Sequence, residues 1–153
     1  MVDPLDGTAN FAAGSHDHAV MVAYLEDGTT EASWMWAPEL GQMAHARRGD
    51  GAFVNGERVE PRSSSAPLDE MVGVVKHRFL PDDIASTVAA RAERFASFTE
   101  GANCAGIDYP RLVSGHVDFL LYWRTLPWDH LPGALFATEA GHHAVRPDGT
   151  PYR

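Results

Sequence analysis

Between His18 and Asn55 turn signals cut the chain into short apolar segments at nearly even spacing, a rhythm that restricts this part to a small antiparallel sheet. His18 to Leu25 is followed by Glu26-Asp27-Gly28, and Thr29 to Ala37 by Pro38-Glu39-Leu40-Gly41; a third segment ends near Ala46. Gly49-Asp50-Gly51 and Asn55-Gly56 bracket Ala52-Phe53-Val54, which reads as a tight hairpin because Asn-Gly readily takes the left-handed positions a short turn needs. Alternation puts Trp34 and Trp36 on one sheet face, available for stacking or for contact with a second chain. Arg62-Ser-Ser-Ser-Ala-Pro67 reads as an exposed connection that divides 1–66 from 67–153. Beyond it the period changes. Met71 to Lys76 is β-branched and apolar, and Pro81-Asp82-Asp83 opens a helical run to Phe98 with Ile84, Val88, Ala92 and Phe95 on one face. Ala105 to Ser114 reads as helix, Val117 to Trp123 as a short buried strand, and Asp129 introduces a small-residue helix ending at Gly141. The fold class is therefore layered α/β, an antiparallel sheet followed by a mixed α/β sheet.

At 153 residues a folded chain buries roughly 70% of the surface its unfolded form exposes, enough for a core without cross-links. Cys104 is the single cysteine, which excludes an intrachain disulfide and cysteine-rich zinc modules and fits a reducing, cytoplasmic setting. A formal charge of −9 argues against a nucleic-acid polymer as partner. No apolar stretch approaches the ~20 residues of a membrane span, and MVDPLDGT lacks the basic patch and apolar run of a leader. The charge is compatible with a cation-assisted site.

The strongest local signal is Asp3-Pro4-Leu5-Asp6-Gly7-Thr8-Ala9-Asn10-Phe11. Pro4 biases Asp3 to an extended conformation and Gly7 permits a sharp turn, so the two carboxylates can converge on a hard cation. Magnesium suits such a set, because it takes oxygen ligands and keeps waters that a substrate phosphate can replace. N–H groups of Gly7 and Thr8, if they open a helix, add an anion cradle. A bare Asp-Gly pair is more often a surface turn. At the far end, Trp128-Asp129-His130-Leu131-Pro132-Gly133-Ala134 leads to Glu139-Ala140-Gly141, and Asp129 on its own reads as a helix N-cap.

Taken together these strings resemble the two signatures of the inositol monophosphatase family, metal-dependent, lithium-sensitive phosphomonoesterases. With seven fixed positions at about one in twenty each, chance identity of the first is on the order of one in a billion per position. Gly49-x-Gly51-Ala52-Phe53-x-Asn55-Gly56 and Leu112-Val113-Ser114-Gly115-His116-Val117-Asp118 are similar to the family's hairpin and its passage from helix to strand, so the resemblance runs from Asp3 to about Tyr152. It implies that Asp3 bridges two magnesium ions, that Leu5 offers its carbonyl to one, and that Asp6 and Asp129 hold the other. Thr8 would orient the attacking water and with Asp6 form the catalytic pair, Gly7 and Thr8 would donate N–H groups to the phosphate, and Cys104, Ala105, Asp108 and Tyr122 would line the substrate side. The implied substrate is a small phosphorylated metabolite, and the implied assembly a homodimer.

Two departures from the family pattern stand out. Its upstream Gly-Glu-Glu segment, which supplies a metal-binding glutamate, has no counterpart, since the first glutamate is Glu26; the chain looks like the later part of a longer, N-terminally truncated phosphatase. The alternative function is accordingly a catalytically incomplete fragment that retains a metal and phosphate site. In addition, Tyr122-Trp123-Arg124 stands where inositol-specific members carry an acidic residue that holds a substrate hydroxyl, and Arg124 would favour a more anionic substrate or serve only as a solvated edge charge. Histidinol phosphates, nucleotide phosphates and sugar bisphosphates all stay open. A third reading, zinc or nickel held by His16 and His18, lacks a third clustered ligand.

Overall fold

The computed structural model describes residues 1–61 and 66–152; most of the connection expected at 62–67 lies outside the described residues. Six strands form a sequential antiparallel sheet: β1 (Val2–Asp6), β2 (Ala19–Glu26), β3 (Thr29–Ala37), β4 (Gln42–Arg47), β5 (Gly51–Val54) and β6 (Glu57–Arg58). The expected turns lie between them, and Asn55 and Gly56 both take positive φ, 50° and 84°, as a two-residue hairpin loop demands. A three-stranded sheet follows, ordered β8 (Ser97–Thr99), β7 (Val72–Val75), β9 (Phe119–Leu121), with both pairings parallel. Its crossovers carry α2 (Asp82–Ala89) and α3 (Ala105–Val113), and α4 (Pro127–Glu139) comes last. No helix among the described residues is long and apolar enough to cross a membrane.

The helix expected from Pro81 to Phe98 stops at Ala89; a short 3-10 turn at Ala92–Arg94 and strand β8 take the remainder. Packing overrides the helical period here. Phe95 lies 5.1 Å from Phe98 and 5.3 Å from Phe119 between ring centroids, and Phe119 fills the space over Gly73, where a Cβ would meet its ring at 2.1 Å. That aromatic cluster needs Phe98 extended beside Gly73 on β7, and the pairing Gly73 with Phe98 supplies it.

Strand alternation gives the large sheet an inner face of small residues and methionines: Ala19 and Met21 of β2, Ser33 and Met35 of β3, Ala44 and Ala46 of β4, and Ala52 of β5, all buried. Its outer face leaves Tyr24, Trp34 and Trp36 exposed. Helix α4 packs across the inner face and α3 packs on α4, so Met21, Met35 and Ala44 share one core with Tyr109, Leu112, Leu135 and Phe136 from beyond the connection. Glu139, near the end of α4, accepts the Gly49 and Gly51 N–H groups at 3.0 Å each, which fixes the turn between β4 and β5.

Helices α3 and α4 meet at Gly133, where a Cβ would lie 2.0 Å from the buried Tyr109 ring. Alanine is the better helix former by up to ~1 kcal/mol, yet overpacking a closed core costs about 1–3 kcal/mol, and a ring hemmed in on both sides cannot yield. Gly133→Ala is therefore expected to lower the midpoint of urea denaturation; an unchanged or raised midpoint would contradict this packing.

Candidate metal centre

Residues three apart on a regular strand point to opposite faces, so Asp3 and Asp6 should diverge. Strand β1 avoids this by a register shift: Asp3 pairs with Met21 and Asp6 with Ala19, three residue steps against two on β2. The extra residue turns Asp6 to the side of Asp3. Asp129 arrives from the first turn of α4, and one carboxylate oxygen from each of Asp3, Asp6 and Asp129 lies within 4.8 Å of the others. This is the one grouping of three or more metal-ligating side chains among the described residues. His16 and His18 do not form a second: His16 is exposed, whereas His18 is buried, with Nδ1 3.2 Å from the Ser15 carbonyl and its ring edge-on to Phe11.

The N-cap reading of Asp129 is corrected. Pro127 begins the helix, Leu126 occupies the cap position without a side-chain cap bond, and the Asp129 carboxyl instead bonds to Asp3. Gly7 turns the chain out of β1 into α1 (Thr8–Ala12) with φ 79°, and a Cβ there would stand 2.7 Å from the Asp17 carbonyl oxygen. Thr8 donates its hydroxyl proton to the Leu5 carbonyl at 2.9 Å, and Asp3 accepts the Leu5 N–H at 3.0 Å. The Leu5 oxygen keeps a second lone pair for a cation.

Cys104, Ala105 and Asp108, expected on the substrate side, are all buried, Asp108 completely. Cys104 and the Gly106 N–H hold Asp6 Oδ2 at 3.1 and 2.8 Å, and the Gly7 N–H also bonds to this carboxylate. Burial, followed by the charge of Asp6, pushes the Cys104 thiol far above its ordinary range, so it stays protonated and donates. Asp108 accepts the Ala102 N–H at 2.7 Å and the Tyr122 hydroxyl at 3.0 Å and pairs with Lys76 at 3.6 Å. Lys76 also bonds to Asn103 Oδ1 at 3.1 Å and to the Glu100 carbonyl. Asn10 donates to the Asp17 and Ala102 carbonyls, 2.7 Å each, tying α1 to the loop before α3. Reading the sequence missed Lys76, Gly106 and the bridging by Asn10; the only available signal was that Asn10 sits inside the first signature.

The electrostatics describe a site built for a cation. Burial raises Asp6, and Asp129 is raised to about 7 by burial, then by its bond to Asp3 and the charges of Asp6 and Asp3, with Arg124 opposing. Three crowded carboxylates with an adjacent backbone carbonyl form an oxygen set of the kind that magnesium, manganese or calcium takes. Because the folded pKa of Asp129 exceeds its ordinary 3.8, its ionisation opposes folding, and stability is lost progressively as pH rises from 3.8 through about 7. Buried His130, lowered from 6.5 to about 4 by desolvation, acts in the opposite sense over part of that window, so a comparison of variants isolates the carboxyl. In the metal-free state, the melting-temperature difference between Asp129→Asn and the parent should be small at pH 4 and move in favour of the variant by pH 8. Magnesium at pH 8 should then raise the parent selectively. A pH-independent difference would contradict this assignment.

The whole chain, residues 1–153, matches the model of the inositol monophosphatase family. The chain belongs to the inositol monophosphatase family. A Thermotoga maritima protein named fructose-1,6-bisphosphatase/inositol-1-monophosphatase is 33% identical over 141 residues, which are 92% of this chain and 54% of that relative. Among solved structures, an IMPase of Thermotoga maritima superposes with a TM-score of 0.85 at 31% identity, covering 99% of this chain and 58% of that one. An IMPase/NADP phosphatase, complexed with NADP and Ca2+, gives 0.85 at 26% identity, with 99% and 57% covered. This inositol monophosphatase family chain thus spans about half the length of the curated relatives it matches. Members of the family are phosphoric monoester hydrolases, and the layered α/β fold agrees with that of its structural neighbours.

Proposed function

We propose that the chain carries the metal and phosphate site of a magnesium-dependent phosphomonoesterase acting on a small phosphorylated metabolite. The convergence of Asp3, Asp6 and Asp129 from two distant segments supports this reading most directly. Asp3, Asp6, Asp129 and the Leu5 carbonyl would hold magnesium, which supplies charge neutralisation of the phosphate and a lowered pKa for water. The reaction forms one P–O bond from water and breaks the ester P–O bond, and the proton lost by the water reaches the departing alkoxide. Thr8 fixes the water: its hydroxyl proton is committed to Leu5, so its oxygen accepts a hydrogen bond from the water, whose lone pair is thereby aimed at phosphorus. The N–H groups that open α1 have no partner inside the helix and would donate to the phosphate, whereas the Gly7 N–H is engaged by Asp6. Gly106 and Cys104 keep Asp6 oriented, and Lys76 balances Asp108 behind it.

Phosphate release from a panel of phosphomonoesters, measured with and without magnesium, tests this proposal. Magnesium-dependent turnover supports it. A second reading, a chain that holds cation and phosphate without turnover, predicts magnesium binding by calorimetry with no release from any ester. A second copy of the chain is the proposed partner for the exposed Trp34 and Trp36 face.

A further inference from the structure

Lys76 is the single lysine of the chain, and its side chain is only 13% exposed. A buried ammonium is tolerated when its three N–H donors meet acceptors and a carboxylate balances its charge. Both conditions hold. Asp108, whose side chain is fully buried, lies 3.6 Å from Nζ, and Nζ also donates to Asn103 Oδ1 at 3.1 Å and to the Glu100 carbonyl. These acceptors all come from the loop between β8 and α3 and from the first turn of α3, whereas Lys76 follows the central strand β7. One cation therefore ties that loop to the middle of the second sheet.

The loop is bent twice within three residues: Gly101 and Asn103 both take left-handed conformations, φ 64° and 54°, and the second bears a side chain. It ends at Cys104, whose thiol donates to Asp6 Oδ2 at 3.1 Å, and it leads into the Gly106 N–H that bonds to the same oxygen at 2.8 Å. In its middle, Ala102 donates its N–H to Asp108 and accepts from Asn10 of α1, 2.7 Å each. The loop thus meets the carboxylate site at Asp6 and at α1, and Lys76 fixes it from the opposite side. Resting on the function proposed above, we propose that Lys76 is a positioning residue for the metal centre: by gathering Glu100, Asn103 and Asp108 around one ammonium it fixes the loop that presents Cys104 to Asp6, and so sets the affinity of the site for magnesium.

The test follows magnesium affinity by calorimetry and the rate at which a thiol reagent labels Cys104, the only cysteine, in the folded protein. Lys76→Met alone strands the buried Asp108 charge and endangers the fold, so the variant used is Lys76→Met/Asp108→Asn, which removes both charges and keeps an acceptor for the Ala102 N–H. Asn103→Ala cuts one tie at an exposed residue and leaves the ion pair in place. The double variant is expected to melt near the parent, to bind magnesium about tenfold more weakly, the lower end for groups that orient a ligand from behind, and to label at Cys104 about tenfold faster as the loop opens locally. Asn103→Ala should move both quantities the same way by less. An ion pair that serves stability alone predicts parental magnesium affinity or a parental labelling rate once the melting temperature is regained, and either overturns the proposal. If the double variant melts early, Asn103→Ala decides on the same two criteria. A parent that binds no magnesium overturns the metal-centre reading and this proposal together, whereas a binding parent with unchanged variants overturns this proposal alone.

Discussion

In Asp129→Asn, magnesium-dependent phosphate release is expected to drop by about a hundredfold or more. Even residues one bond removed from a metal typically change affinity or activity 10–100-fold, and Asp129 supplies one of the three carboxylates themselves. Asparagine keeps the size of the side chain and an acceptor oxygen but removes the charge, so the loss should appear first as a higher magnesium requirement. The same change relieves repulsion when no cation is bound, because the Asp129 carboxyl is raised to about 7 by burial and by its bond to Asp3. Activity and metal-free stability therefore move in opposite directions above pH 7, which a general folding defect would not produce. Parental release and magnesium dependence in the variant, read by steady-state phosphate assay, would remove Asp129 from the centre.

Gly7→Val is expected to have a comparable effect through the backbone. The left-handed conformation at φ 79° costs a side-chain-bearing residue roughly 1–2 kcal/mol, more with branching at Cβ. The new Cβ must also displace the Asp17 carbonyl, 2.7 Å away, and press on Cys104, 3.2 Å away, so β1 and α1 cannot keep their junction. The expected result is a loss of about 3 kcal/mol in denaturant unfolding and abolition of phosphate release, since Thr8 and Asp6 flank this residue. Gly14→Ala supplies the control: its φ is 72° but nothing lies within 4 Å of the added Cβ, so strain alone is introduced and release persists. Equal losses at the two positions would show that the conformation, not the contact with Asp17 and Cys104, matters at Gly7.

How far the sequence could be read depended on whether the determining contact was local. The strands from Ala19 to Val54 and their turns were legible because side-chain alternation and Asn-Gly chemistry act within a few residues. The three carboxylates, and the expectation that they converge on a cation, were legible through the two signatures, but the backbone device that turns Asp6 to the side of Asp3 was not. It depends on the register shift between Asp3 and Asp6, which only pairing with β2 creates. The helix expected to Phe98 failed for a similar reason, as Phe95 and Phe98 satisfy a helical period but are claimed by Phe119 across the second sheet. Asp108 and Cys104 were placed on the substrate side by the resemblance alone; their hydrogen bonds, Asp108 to Ala102 and Tyr122 and Cys104 to Asp6, had no local signal.

Crystals of the chain grown with manganese, and an anomalous difference map calculated at the manganese edge, would test the central claim most directly. Manganese takes the same oxygen ligands as magnesium and can be identified by its scattering. The account predicts a peak enclosed by Asp3, Asp6 and Asp129, with a carboxylate oxygen of each at about 2.0–2.3 Å. A fully occupied peak elsewhere, or none at these carboxylates at saturating manganese, would contradict it.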